Sequence, residues 1–456
     1  DGVLFEKCFT SSTWTRPVAA SILTGAYPGV HRTRSRSDAF VTNLPRLSEL
    51  LRDAGFATAG FVTIGHLDSE LGFARGFDRY DNLFRAPDIA ARREVLDASH
   101  EGLLGHKGEK VALPRAEDVN ERLFPWLAEH QSDSTFSFVW TIDTHVPFAP
   151  PSGFRRFSSQ EGEHVDRRRA PGHPTAGTYA DVRSAGAQDR QRLIDLYDDE
   201  IGYADHQIGL LVAHLRELGI YEDTLLIVTG DHGESFYEHG LYGHGHAPFD
   251  EVIHVPLIVK LPRGAHAGEH SSQLVELIDL YDTVLDVGGL LAEASASSSS
   301  QRKSLVSLLE DGSQALGRRV FSETRSLSIH NRYLSVRTDR WKYIAIERPQ
   351  RSAGTMASVF RHLLQRKMLL DILRAPRHFV RSYFQRENAY LFDLENDPEE
   401  RSNLIASHPE RLEELVAELG AWQAENERLA AQSSDSTYDY EESEAIKRHL
   451  ESLGYE

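Results

Sequence analysis

Cysteine is almost absent: Cys8 stands alone among 456 residues. That excludes an intrachain disulfide and any cysteine-built metal cage, and leaves Cys8 as a small buried hydrophobe. Long apolar runs are missing as well, since none approaches the roughly 20 residues a membrane-spanning helix needs. Positive charge is in deficit, with 50 basic against 69 acidic residues and a formal charge of −19. This balance argues against general nucleic-acid binding, and any anionic ligand must be drawn by a local pocket rather than by the whole field. No internal repeat is evident. The chain that remains is 40% hydrophobic and 26% charged. At this length it can bury a large core and divide into a major and a minor unit.

Helical and strand patterns alternate along the first half. Residues 44–54 are amphipathic and closed by Gly55, and a strand pattern follows at 57–62. Residues 115–130 and 191–218 are helical in pattern, each followed by an apolar strand, at 136–142 and from Leu225. Helices between buried strands predict an α/β fold: a mostly parallel central sheet with helices on both faces and active residues at the strands' carboxyl ends. Strand patterns at 333–337, 342–346 and 391–394, with a helix at 409–426, predict a smaller C-terminal α+β domain with an antiparallel sheet.

The densest chemistry lies at 229–246, Thr-Gly-Asp-His-Gly-Glu-Ser-Phe-Tyr-Glu-His-Gly-Leu-Tyr-Gly-His-Gly-His. A strand empties here into a loop with three carboxylates, four imidazoles and five glycines. Asp231 and His232 are adjacent at the strand's end, where an irregular backbone lets both side chains converge on one cation. His239, His244 and His246 follow in glycine-rich turns that let the backbone fold back close to a ligand. A mixed Asp/His set suits Zn, Mn or Mg. A single histidine of this kind is more often exposed or satisfied than a ligand; the whole cluster at a strand's end favours a metal site.

The stretch from Ser11 to Gly25, Ser-Ser-Thr-Trp-Thr-Arg-Pro-Val-Ala-Ala-Ser-Ile-Leu-Thr-Gly, resembles the sulfatase pattern C/S-x-P-x-R followed by Thr-Gly. Asp231-His232-Gly233 resembles the same family's second metal motif. The resemblance continues in family order through Trp140 to Pro147, Val255-Pro256-Leu257-Ile258, Arg337 to Tyr343, and Leu391 to Glu399. It implies an alkaline phosphatase-like fold and a metal-dependent hydrolase of anionic esters, with a divalent ion (Zn, Mn, Mg or Ca). Aligning Pro17 and Thr24-Gly25 puts Thr15 at the nucleophile position, and makes Thr15, Asp231 and His232 metal ligands. His145 matches the family's His-x-Pro histidine, and His244 falls where many sulfatases carry a lysine; both are catalytic candidates that could protonate the leaving oxygen. His239 and Arg16 are candidate substrate-binding residues, Arg16 as a replacement for a missing guanidinium.

Two departures from the pattern matter. Sulfatases oxidise a Cys or Ser to an aldehyde hydrate, which Thr15 cannot give, and Ala19 stands at the motif's arginine. An alcohol side chain can attack phosphorus and be freed by water with metal help. A sulfated plain alcohol is harder to release. The reading therefore favours phosphate mono- or diesters through a Thr15 covalent intermediate. The alternatives are an arylsulfatase-like sulfuric ester hydrolase, a phosphoethanolamine or phosphoglycerol transferase, and a noncatalytic binding protein that keeps the fold. A frame with Ser12 as nucleophile loses the proline and lengthens the spacing. Asp198 and Asp205 are expected to be solvated or helix-capping.

The family pattern normally opens with a strand that supplies further metal carboxylates. Asp1-Gly2-Val3-Leu4-Phe5 matches the segment after it, so the reading expects an amino-terminal truncation; the compartment stays open. The expected division is a catalytic domain at 1–291, an Ala/Ser linker at 292–304, a smaller domain at 305–430 and an acidic tail at 431–456. Residues 150–188 are expected to form a rim loop. An insertion at 348–388 mixes apolar and basic residues in a helical pattern. It is expected to be a lid, an oligomer contact, a membrane-surface contact or a stripe docked on the main domain. The expected partner is a small anionic ester, without nucleic acid.

Overall fold

The computed structural model describes residues 1–89, 113–146, 148–158, 187–294, 302–311, 317–326, 331–348, 388–433 and 443–452. Most of the expected rim loop, the Ala/Ser stretch, nearly all of the 348–388 insertion and the acidic run at 434–442 lie outside these described residues.

The strands of the first part are β1 (Val3–Phe9), β2 (Ala57–Val62), β3 (Arg79–Asn82), β4 (Thr135–Trp140), β5 (Leu226–Thr229), β6 (Ser235–Phe236), β7 (Tyr242–Gly243), β8 (His254–Lys260) and β9 (His270–Glu276). Later come β10 (Val320–Arg325), β11 (Arg332–Arg337), β12 (Trp341–Glu347) and β13 (Ala389–Asp393). Parallel pairing, expected from the alternation of helix and strand, joins β3-β2-β4 and also β1 with β9. β8 runs antiparallel to β1 and to β5 in the sheet ordered β5-β8-β1-β9. The connection from β5 to β8 holds only the β6-β7 hairpin and a four-residue helix, Asp250–Ile253. Neither is a crossover long enough to return the chain for a parallel start.

Alternation along β2 sends Ala59 and Phe61 to one core and Val62 to another. Phe61 packs with Val119, Leu123 and Trp126 of the helix Ala116–Glu129 and with Leu215 of the long helix Ala187–Glu217. Val62 joins Val18, Leu47, Leu51 and Leu285 on the other side. Helices therefore cover both faces, as the period-2 and period-3.6 patterns require. Cys8 is fully buried in that second core as a free thiol.

The C-terminal sheet β10-β11-β12-β13 is antiparallel throughout. One face, with Leu334, Val336 and Leu391, packs on Leu415, Leu419 and Trp422 of the helix Pro409–Gln432. The opposite face, with Tyr333, Ile344 and Phe392, covers Ala247 and Phe249 just beyond the His-rich loop. Two segments sit differently from their expected places. Helix Leu305–Glu310 buries Leu305 and Leu308 in the main core rather than beside the smaller sheet. Within the stretch expected as an acidic tail, helix Glu444–Ser452 docks instead: Ile446 and Leu450 are fully buried in the main core and His449 stacks on Phe84 at 4.5 Å. Its apolar residues at 446 and 450 are spaced i, i+4 on one face, the signal that the surrounding charge obscured.

Where β9 meets the smaller sheet, Glu276 is fully buried and accepts hydrogen bonds from Tyr27 Oη (2.8 Å) and Phe321 N (3.0 Å). Burial, with Asp279 nearby, pushes its carboxyl up to about 8. Between the ordinary carboxylate value and that point the unfolded chain has released a proton the folded chain still holds. This group therefore costs stability as pH rises from about 4.5 towards 8. Glu276→Gln keeps an acceptor for both donors and is expected to flatten this decline, as read by denaturant unfolding at about pH 5 and about pH 8.

Candidate active site

Thr15 is the first residue of a ten-residue helix, Thr15–Thr24, whose residues are all buried. Pro17 is tolerated because it sits in the first turn, where its missing N–H costs no helical hydrogen bond. Gly25 closes the helix in the left-handed region (φ 62°), donating its N–H to Ser21 O. The N-terminus thus aims free N–H groups and a partial positive charge at whatever lies beside Thr15.

From the other side, β5 stops at Thr229 and delivers Asp231 and His232. Gly233 lets this loop lie flat, since a Cβ there would come within 2.2 Å of Glu251 O, while its N–H donates to Val252 O at 2.8 Å. His232 Nε2 then sits 3.4 Å from Thr15 Oγ1 and 3.3 Å from Asp231 Oδ2. Thr15, Asp231, His232 and His145 line one pocket, with Glu234 and Tyr197 completing its wall. The ring of His244 lies 4.1 Å from His232 and 4.9 Å from His145, and its Nδ1 is 2.7 Å from Glu234 Oε1.

Burial dominates the electrostatics. It drives His145 down to about 3, with His244 adding to the effect, and holds His244 well below the usual imidazole value, with His232 adding to it. The same burial raises Glu234. His145 and His244 are therefore neutral near pH 7 and act as N–H donors or acceptors rather than as standing imidazolium acids.

The structure does not bring the two expected substrate-binding residues to this pocket. Arg16 is fully buried and turned inward, donating to the carbonyls of Arg36 and Asp38 and lying 3.4 Å from His66 Nδ1. His239 spends both ring nitrogens elsewhere, on Glu251 Oε1 (2.8 Å) and Glu400 O (3.1 Å), and stacks on Phe249. A helix residue two places into its first turn faces the core when the whole helix is buried, and a loop histidine with a carboxylate in reach is captured by it. His246 likewise contacts backbone carbonyls of Gly243 and Ala247. Ser12 points to Thr324 of β10 at 3.4 Å, which removes it as an alternative nucleophile facing the pocket. Asp205 is exposed and Asp198 half-buried on the long helix.

Sequence reasoning missed Glu234, Tyr197 and His66. Glu234 carried a usable signal, two residues beyond His232 in the same loop. Tyr197 and His66 are isolated in sequence and reach the site only through the fold; His66 does so by touching Trp14 and Arg16 on either side of Thr15.

The residues present fit a divalent cation. Glu234 Oε2 is a buried acceptor oxygen without a hydrogen-bond partner, and Asp231 Oδ2 has the 3.3 Å approach of His232 Nε2 but no hydrogen bond, a costly arrangement that a cation relieves. His232, Glu234 and His244 also offer ligand atoms within 4.8 Å of one another. Oxygen and imidazole donors without thiolate suit Zn, Mn, Mg or Ca.

The sulfatase family profile matches residues 1–290, well over half of the chain. The chain belongs to the sulfatase family. A second profile, N-sulphoglucosamine sulphohydrolase, C-terminal, matches residues 237–352. Among curated relatives, arylsulfatase K of Bos taurus is 24% identical over 444 residues, covering 92% of this chain and 74% of that protein. Arylsulfatase K of Danio rerio is 30% identical over 377 residues, covering 75% and 69%. Among solved structures, the phosphonate monoester hydrolase of Agrobacterium radiobacter aligns with a TM-score of 0.64 at 20% identity, covering 96% of this chain and 90% of that one. A structure in complex with its substrate D-glucosamine-2-N,6-O-disulfate gives 0.64 at 16%, covering 94% and 91%. These likenesses establish the alkaline phosphatase-like fold of this sulfatase-family chain and its class, a hydrolase of the sulfatase superfamily, a family that is generally metal-dependent.

Proposed function

We propose that this chain hydrolyses phosphate mono- or diesters, with Thr15 as the nucleophile and a covalent phosphothreonine intermediate. The observation that carries this reading is a threonine hydroxyl, rather than a cysteine or serine, at the first residue of a buried helix and 3.4 Å from His232 Nε2. Threonine cannot form an aldehyde hydrate, so the family's elimination route from a sulfated intermediate is closed to it. A phosphothreonine can instead be opened by water at phosphorus.

Asp231 and His232 would hold a divalent cation, with Glu234 beside them and Thr15 at its edge. When bound, the cation supplies Lewis-acid stabilisation of the charge that develops on oxygen. The chain's own residues do the rest. The helix N-terminus at Thr15 favours an anion. Neutral His145 and His244 place their one N–H on Nδ1, facing Val146 O and Glu234 Oε1, so each keeps Nε2 as an acceptor able to take up a proton, and Glu234 orients His244 through its 2.7 Å contact.

The names of the curated relatives favour a second reading, sulfuric ester hydrolysis. The two are separated by assaying the purified protein on p-nitrophenyl phosphate, bis(p-nitrophenyl) phosphate and p-nitrophenyl sulfate, after chelation and after adding back Zn, Mn, Mg or Ca. The expected result is metal-restored turnover of a phosphate ester, at least about tenfold faster than the sulfate. Turnover confined to the sulfate ester would overturn the phosphate reading. Adding a small alcohol distinguishes a transferase, which would pass the phosphoryl group to the alcohol in preference to water.

A further inference from the structure

The pocket poses an electrostatic problem. Two carboxylates, Asp231 and Glu234, face it, while among the described residues no lysine or arginine lines it. Ala19 occupies the position where the family motif carries a guanidinium, and Arg16 is engaged with backbone carbonyls instead. An anionic ester in this pocket therefore depends on neutral donors, beyond the cation, to hold its nonbridging oxygens.

Tyr197 is placed to be such a donor. It projects from the long helix Ala187–Glu217 into the pocket wall, where its phenol feels both Glu234 and Asp231. Its ring is fixed by aromatic neighbours, with Phe148 at 5.4 Å and Phe236 at 5.3 Å between centroids. Among the described residues its hydroxyl has no hydrogen-bond partner. A clamped ring carrying an unengaged O–H in a reaction pocket is preorganised: its orientation costs nothing further when charge develops opposite it.

We infer that Tyr197 is a substrate-contacting residue whose hydroxyl donates to a nonbridging oxygen of the transferred group, taking the place of the absent guanidinium. The inference rests on the Thr15 reading for the position of that group, but its test is separate.

Tyr197→Phe removes the hydroxyl and keeps the ring between Phe148 and Phe236; Tyr197→Ala removes both. With the full chain loaded with metal, Tyr197→Phe is expected to lower kcat about 10²-fold on whichever ester the wild type turns over. KM, metal affinity and melting temperature should stay near wild type. The loss should be equal for p-nitrophenyl and alkyl leaving groups, because a nonbridging oxygen carries the contact in both. Tyr197→Ala is expected to lose at least as much activity and to melt earlier as well. Wild-type kcat in Tyr197→Phe, with impairment only in Tyr197→Ala, would mean that the ring merely fills space and would overturn the inference. A penalty that grows with leaving-group pKa would also overturn it, by moving the contact to the bridging oxygen. Failure of the Thr15 reading looks different, since it shows as activity surviving in Thr15→Ala whatever Tyr197→Phe does.

Discussion

Thr15→Ala is expected to lower kcat/KM by about four to six orders of magnitude, the scale on which removing a nucleophile acts. The protein should remain folded. Thr15 is buried, but among the described residues its hydroxyl makes a single 3.4 Å contact, with His232, and losing one such bond costs on the order of 1 kcal/mol. Thr15→Ser should keep a substantial part of the rate, because it preserves the hydroxyl at the helix N-terminus and removes only a methyl group. Steady-state kinetics on the preferred ester, with a denaturation curve for each variant, separates the chemical loss from instability. Equal rates for wild type and Thr15→Ala would transfer the nucleophilic role to water and leave Thr15 a pocket wall.

Lys342→Met should cost stability rather than chemistry, by about 3–5 kcal/mol, the scale for removing one partner of a buried charge pair. Lys342 is completely buried on β12, and its Nζ lies 2.7 Å from Asp250 Oδ1 and 2.6 Å from Glu400 Oε1. Glu400 Oε2 also accepts from Asp250 N at 2.7 Å, and Arg337 reaches Asp250 Oδ2 at 3.2 Å. Taking the ammonium away strips Glu400 of its cation and leaves Asp250 with Arg337. The double variant Lys342→Met with Glu400→Gln should recover part of the loss, because the stranded Glu400 charge is gone. Denaturant unfolding of the single and double variants measures both effects. The position of Asp250 gives this lock its significance. The residue begins the short helix after the His-rich loop, and Phe249 before it stacks on His239. The smaller sheet is thereby bolted to the segment that returns from Asp231 and His232, so its loosening is expected to spread toward the site.

How much of this was legible beforehand depends on how local each signal is. Strands β2, β11 and β12 and the helix Pro409–Gln432 announce themselves through their own periodicity, and their expected bounds differ from those found mostly at the ends. The antiparallel course of β8 has no such signature. Its alternation of buried and exposed residues is the same whichever way it runs, and only the short connection at the sheet's end sets its direction. The meeting of Thr15 with Asp231 and His232 was readable because each group sits at an element boundary with a motif around it. Arg16 and His239 were misplaced for a common reason. Sequence fixes neither the rotation of a buried helix nor the identity of the carboxylate that captures a loop imidazole, and here the 36–38 carbonyls and Glu251 won. Glu234 was visible but overshadowed by the histidines beside it. Tyr197 and His66 belong to elements whose contact with the site is a property of the tertiary fold alone.

The most direct measurement is to mix metal-loaded protein with a phosphate ester carrying a radiolabelled phosphoryl group, quench in acid within the first turnovers, and map the label by peptide mass spectrometry. The expected result is label on the peptide containing Thr15, absent from Thr15→Ala and lost on longer incubation as water releases it. Turnover of the same ester with no labelled protein at any quench time, at a rate that Thr15→Ala shares, would contradict the account.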